Sequence, residues 1–230
     1  MIVDITIPKS WSELTQEQLR YAYFLLSSKN YEPDQIKALC IIRWGKLENM
    51  LENIKAEQLA AFLPVMNWIL TIPDKPVYLD MIQGHEALYR ADLQGLPFEQ
   101  YLVLENFYQG FMHTKNEERL SDMAKVLYVE QLKLAPLEAY SIFMWFAAVK
   151  RLFASRFTHF FQPALIDNQQ SEQDIFTALR KSMNTQIRAL TKGDVTKEKE
   201  IFAMDVWRAL TELDAQAEDY EELKKMNHGK

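Results

Sequence analysis

Hydrophobic positions along the chain recur at helical spacing almost from end to end. The opening is the exception: Val3, Ile5 and Ile7 alternate with Asp4 and Thr6, which reads as a short strand stopped by Pro8. Thr15-Gln16-Glu17-Gln18 then has the form of a capping box, and Leu19, Ala22, Tyr23 and Leu26 follow on one helical stripe. Pro33 suits the first turn of a second helix carrying Ile36, Leu39, Cys40 and Trp44, with Gly45 placed to end it. A third helix is expected over about residues 55–70, kinked or broken at Pro64.

Between Ile72 and Pro97 the period changes. Residues 77–82 and 86–91 flank Gln83-Gly84-His85, which predicts a small hairpin with Gly84 at the first central position of a type II′ turn. From Pro97 onward the stripes are helical again. Tyr101, Leu104, Tyr108, Phe111 and Met112 make one stripe, and Leu120, Met123, Ala124, Leu127 and Tyr128 make the next. A long helix from Pro136 carries Ile142, Phe146, Val149, Phe153, Phe157 and Phe160 and ends by Pro163. Ser171 opens a helix bearing Phe176, Leu179, Met183, Ile187 and Leu190, closed by Gly193. Thr196 is expected to cap a last helix whose seam runs Ala203, Val206, Leu210, Leu213, Ala217, Tyr220. The pattern predicts a mainly α protein, a multi-helix globular domain of seven to nine helices. It has one small antiparallel β element, the N-terminal strand plus the hairpin near 77–91. A single domain over 1–230 is expected, with a weak subdivision near 167–171.

Composition narrows the class further. Of 230 residues 48% are hydrophobic, too many for a disordered chain, and 6 glycines are too few for an architecture of many tight turns. One cysteine excludes a disulfide framework and any multi-cysteine metal site. Cys40, amid Leu39, Ile41 and Ile42, reads as a small buried hydrophobe. The N-terminus lacks the basic n-region of a signal peptide, and the longest apolar run, residues 142–149, falls short of a membrane span. A cytoplasmic protein with no membrane contact is the expectation.

No motif announces catalysis. His85, His113, His159 and His228 share no metal-ligand spacing, and no P-loop, nucleophile elbow or dinucleotide loop occurs. Glu105, among Leu102, Val103, Leu104 and Phe107, reads as a snorkelling or ion-paired acid, the alternative being a buried one with a raised pKa. The sequence therefore nominates no catalytic, cofactor-binding or metal residue, no cofactor, and no enzymatic activity.

Charge and aromatic placement leave two binding hypotheses. Net charge is −6, which disfavours nucleic acid overall, yet residues 150–199 hold nine basic side chains against five acidic ones. Lys150, Arg151, Arg156, Arg180, Lys181 and Arg188 are the candidate phosphate contacts of a nucleic-acid-binding accessory protein. Phe153, Phe157 and Phe160 would be its stacking platform, or simply the core stripe of the long helix. The terminal seam supplies the other hypothesis, with Trp207, Leu210, Leu213 and Tyr220 as candidate partner-binding residues. That seam either packs on the body of its own chain or docks on a protein partner or a second copy, making a homo-oligomer.

Three stretches taken in order carry a family likeness: Ile5-Thr6-Ile7-Pro8-Lys9-Ser10-Trp11-Ser12-Glu13-Leu14-Thr15, then Leu96-Pro97-Phe98-Glu99-Gln100-Tyr101 after the hairpin, and Asp205-Val206-Trp207-Arg208-Ala209-Leu210 with its acidic tail. Together they resemble small helical proteins encoded in the tail gene modules of tailed bacteriophages and prophages. The resemblance implies a chaperone-like assembly role, holding tape-measure or tail-tube protein before polymerisation. It carries over no functional residue, and this chain is longer than many tail assembly chaperones.

Overall fold

The computed structural model describes residues 6–128, 132–161 and 172–228, the side chains of residues 51, 172–176 and 227–228 aside. Within them the protein is mainly α, with nine α-helices and one two-stranded antiparallel sheet. The chain forms two compact units. The first comprises residues 1–87 and 132–148, the second 88–131 and 149–230.

The first unit begins with a 3₁₀ turn at Trp11–Glu13 and helix α1, Gln16–Ser27. The capping box is formed as expected: the Thr15 hydroxyl accepts from the Gln18 N–H, and the Gln18 amide oxygen accepts from the Thr15 N–H. Leu19, Ala22, Tyr23 and Leu25 are buried, so Leu25 takes the place expected for the half-buried Leu26. Helix α2, Pro33–Trp44, starts at its proline. Its end differs from expectation. Gly45 is right-handed (φ −78°), and Lys46 takes the left-handed position (φ 55°). Gly45 is useful for a different reason, since a Cβ there would sit 2.8 Å from the Ile41 carbonyl oxygen.

Pro64 divides the third helical segment. Helix α3 spans Ala56–Phe62, and a 3₁₀ helix continues over Leu63–Leu70. The Trp11 indole N–H donates to the carbonyls of Trp68 and Thr71, both at 3.1 Å, and shares the Trp68 carbonyl with the Thr71 N–H and hydroxyl that close the end of this helix. Its ring stacks on Tyr23 and meets Trp68 edge-on, so one aromatic cluster joins the N-terminal segment, α1 and the 3₁₀ helix.

The hairpin is shorter than its hydrophobic pattern. Strand β1 is Met81–Ile82 and β2 is His85–Glu86, with Ile82 opposite His85. Both central residues have positive φ, Gln83 at 51° and Gly84 at 87°, which is the type I′ pattern rather than II′. Gln83 accepts that conformation because its amide is anchored, donating to the Lys133 carbonyl and the Glu138 carboxylate at 2.9 and 2.8 Å. Most of the strand expected at Val3–Ile7 lies outside the described residues, and Thr6 and Ile7 are irregular.

The second unit packs helix α4, Phe98–Thr114, against α5, Glu118–Tyr128. All five residues of the expected α5 stripe are buried. In α4 the stripe is shorter than expected: Tyr101 and Leu104 are buried, Tyr108 and Phe111 are half-buried and Met112 is exposed. Helix α6, Pro136–Arg156, supplies residues up to Ala148 to the first unit and from Val149 to the second. It stops earlier than the expected bound at Pro163, which lies outside the described residues, as do Ser171 and the 167–171 stretch. Helix α7, Glu172–Thr191, closes at Gly193 (φ 80°) as its sequence indicates; the side chain of Phe176 lies outside the description.

The expected last helix is instead two. Asp194, rather than Thr196, caps a 3₁₀ turn at Val195–Lys197, followed by α8, Glu198–Ala203, and α9, Val206–His228. Ala203 falls on the exposed end of α8 and leaves the seam. No helix of the described residues is long and apolar enough to cross a membrane.

Candidate protein-docking face

Helix α9 begins at a break that one carboxylate creates. Asp205 Oδ1 accepts from the N–H groups of Trp207 and Arg208 (2.9 and 3.3 Å), occupying donors at the helix start. Its Oδ2 accepts from the Gly95 N–H at 2.7 Å. Two backbone bonds flank this contact, Phe98 N–H to Met204 O and Val206 N–H to Leu96 O. The turn held here puts fully buried Leu93 in the left-handed region (φ 64°), while Gly95 (φ 86°) takes that conformation at no steric cost. The chain at the start of α9 thus holds residues 95–98 by three hydrogen bonds.

Trp207 completes the clamp. Its indole N–H donates to the Asp92 carbonyl at 2.8 Å, and its ring meets Phe153 and Phe157 edge-on at 5.3 and 5.7 Å. Leu210 and Leu213 are buried beside Val206 and Ala209. Three of the four sequence-nominated partner residues therefore pack inside their own unit, because the segment 92–98 and the end of α6 present matching apolar surface.

The helix then leaves its support by degrees. Asp214 Oδ1 accepts the backbone N–H groups of His159 and Phe160 at 2.9 and 2.8 Å, pinning the turn that follows α6. The His159 ring lies between Glu221, 3.3 Å from Nδ1, and Glu218, 3.8 Å from Nε2. Beyond these ties Tyr220 is 68% exposed, Leu223 57% and Met226 63%. Tyr220 alone of the nominated residues faces outward. Leu223 and Met226 escaped the seam reading because they fall on a ridge of three-residue steps beside it. Asp205 was the more legible omission, an aspartate directly before a run of helix-spaced apolar residues.

The basic candidates separate as well. Lys150 is engaged: its ammonium lies 2.6 Å from Glu105 Oε1 and over the Phe161 ring. Glu105 is thus the ion-paired acid expected, and Gln109 donates to the same oxygen at 2.9 Å. Burial, helped by the Glu105 charge, pushes the Tyr101 hydroxyl well above its ordinary pKa. Phe153 and Phe157 are buried, so they serve as core and offer no stacking platform, while Phe160 is half-buried. Arg151 and Arg156 are exposed at the end of α6. Arg180, Lys181 and Arg188 are exposed on α7, followed by exposed Lys192. At 100° per residue the three cations of α7 fall within about 100° of its circumference, and Lys192 follows just past its end.

Elsewhere the described residues hold no group of three or more His, Cys, Asp or Glu side chains that could share a metal ion. A groove of about 380 Å³ beside α1 and α2 is lined by Tyr21, Arg43, Trp44 and Glu48 among others, with Arg43 3.5 Å from Glu48. Burial, and then the neighbouring Cys40, raises the Tyr21 pKa there. No family model, curated protein or solved structure matches the chain, so a functional reading must come from its own residues.

Proposed function

We propose that this chain is a non-enzymatic assembly protein that grips a protein partner through the outer half of α9, acting as a tail assembly factor of a phage-derived module. One observation carries the reading. A helix firmly clamped at Asp205 and Trp207 carries three large apolar side chains, Tyr220, Leu223 and Met226, out to solvent. Exposed aromatic and methionine side chains on a well-anchored helix suit protein recognition, since they give apolar contact area and methionine adapts to its partner. The resemblance to tail-module proteins names the partner class, tail-tube or tape-measure protein.

Co-purification tests it. The full chain is expected to retain the tail-tube or tape-measure protein of its own module, and Leu223→Glu with Met226→Glu is expected to abolish retention while leaving the circular dichroism spectrum unchanged. Retention unaffected by the double substitution refutes the assignment to this face.

A second reading is favoured by the exposed cations on α7 and just past its end. If Arg180, Lys181, Arg188 and Lys192 track a phosphate backbone, single-stranded DNA would bind with a log–log salt slope near −2.8, about −0.7 for each of four contacts. Absence of binding at low salt removes that reading.

A further inference from the structure

Helix α7 carries its cations beside a groove. About 460 Å³ of open space lies between its C-terminal half and α8. Asn184, Ile187 and Arg188 line the groove from α7, and Val195, Glu198 and Phe202 line it from the turn and helix that follow. We propose that this groove takes one base of a single-stranded nucleic acid whose phosphates lie on the cations of α7. The proposal rests on the second reading above and adds to it the place of the base.

Position, charge and lining converge on a nucleotide. Counted from Arg180 at 100° per residue, Lys181 and Arg188 lie at about 100° and 80°, and the groove-lining Asn184 and Ile187 at about 40° and −20°. The groove therefore opens on the same side of α7 as the cations, and Arg188 belongs to both. Arg180, Lys181, Arg188 and Lys192 are exposed, and none of them forms an ion pair among the described residues, so their charge is available to phosphates. Glu198, half-buried in the groove wall, repels a phosphate or an acidic peptide there but accepts from the amino group of adenine or cytosine. It admits a base and keeps the phosphate outside. Ile187, Val195 and Phe202 present apolar surface to the base, and the Asn184 amide both donates and accepts. With Phe153 and Phe157 spent in the core, half-buried Phe202 is a ring beside the cations, and it meets no other ring among the described residues. An aromatic side chain next to a cationic track is what sequence-tolerant binding of single strands employs.

Fluorescence anisotropy of the full chain with a short labelled deoxyadenylate strand, titrated at several salt concentrations, tests the base site. The strand should bind about tenfold or more tighter than an abasic strand of equal length, the effect expected of stacking one base. Phe202→Leu, and Asn184→Ala at an exposed position that the fold does not depend on, should each erase most of that preference and leave the salt slope unchanged. Arg180→Gln with Lys181→Gln should do the reverse, flattening the slope by about 1.4 while keeping the preference. Equal binding of the two strands, or a preference indifferent to both Phe202→Leu and Asn184→Ala, overturns the base site and leaves phosphate tracking by α7 standing. Tighter binding of polyglutamate than of deoxyadenylate at matched charge assigns the face to an acidic peptide and overturns the proposal. Absence of binding by either strand at low salt removes the base site and the phosphate track together.

Discussion

Asp205→Ala is the substitution that most directly probes how α9 is held. The carboxylate loses two roles at once. Its capping bonds to Trp207 and Arg208 resemble those whose removal costs about 0.5–2 kcal/mol. Its 2.7 Å bond to the Gly95 N–H would contribute ~1.5–3 kcal/mol as a charge-assisted bond, reduced here to about 1 kcal/mol because the site is open to water. A total of about 1.5–3 kcal/mol is expected. Urea unfolding followed by tryptophan fluorescence would show it as a midpoint shift of roughly 1 M, for a slope of a few kcal/mol per molar. Asp205→Asn separates the two roles. Asparagine caps as well as aspartate, but one of its two positions becomes an N–H group and cannot accept from Gly95, so about 1 kcal/mol should be lost. A cost below about 0.5 kcal/mol for alanine, or equal costs for alanine and asparagine, would refute the clamp.

Trp207→Ala should cost ~3–5 kcal/mol, as truncation of a packed tryptophan does, whereas Leu223→Ala should stay within about 0.5 kcal/mol in the same denaturation assay. Lys150→Met should destabilise by ~2–4 kcal/mol by leaving the largely buried Glu105 without its cation, and adding Glu105→Leu should recover most of it, which a double-mutant cycle measures. Burial pushes the Cys40 thiol from 9.0 up to about 12. The folded state therefore favours the protonated thiol, and this contribution is intact below pH 9 and lost as pH climbs toward 12, at up to ~1.4 kcal/mol per unit. The pH dependence of unfolding in Cys40→Ala should be correspondingly flatter over that window.

Much of the architecture is legible in local chemistry. The Thr15 capping box, the proline at the head of α2, the break at Pro64, the α5 stripe and the glycine after α7 are all decided within a few residues. Expectations failed where a local signal had a rival. At the end of α2 the glycine signal points to Gly45 as the left-handed residue, but Gly45 is needed for close approach to the Ile41 carbonyl and Lys46 is left-handed instead. At the hairpin the turn type moved because distant acceptors at Lys133 and Glu138 hold Gln83. The candidate site is half legible. Helical spacing marked Tyr220, but nothing in the spacing said that Trp207, Leu210 and Leu213 would be consumed at home.

Periodicity by itself determines which side chains share a face, and capping and turn residues determine where each face begins and stops, because those energies arise between neighbours in the chain. What lies against a face is settled by partners far along it. Trp207 meets the Asp92 carbonyl 115 residues away, Asp205 reaches Gly95 across 110, and Asp214 holds a turn 55 and 54 residues back. Only when those long-range contacts are in place is the seam of α9 divided into an inner half that is core and an outer half left in solvent.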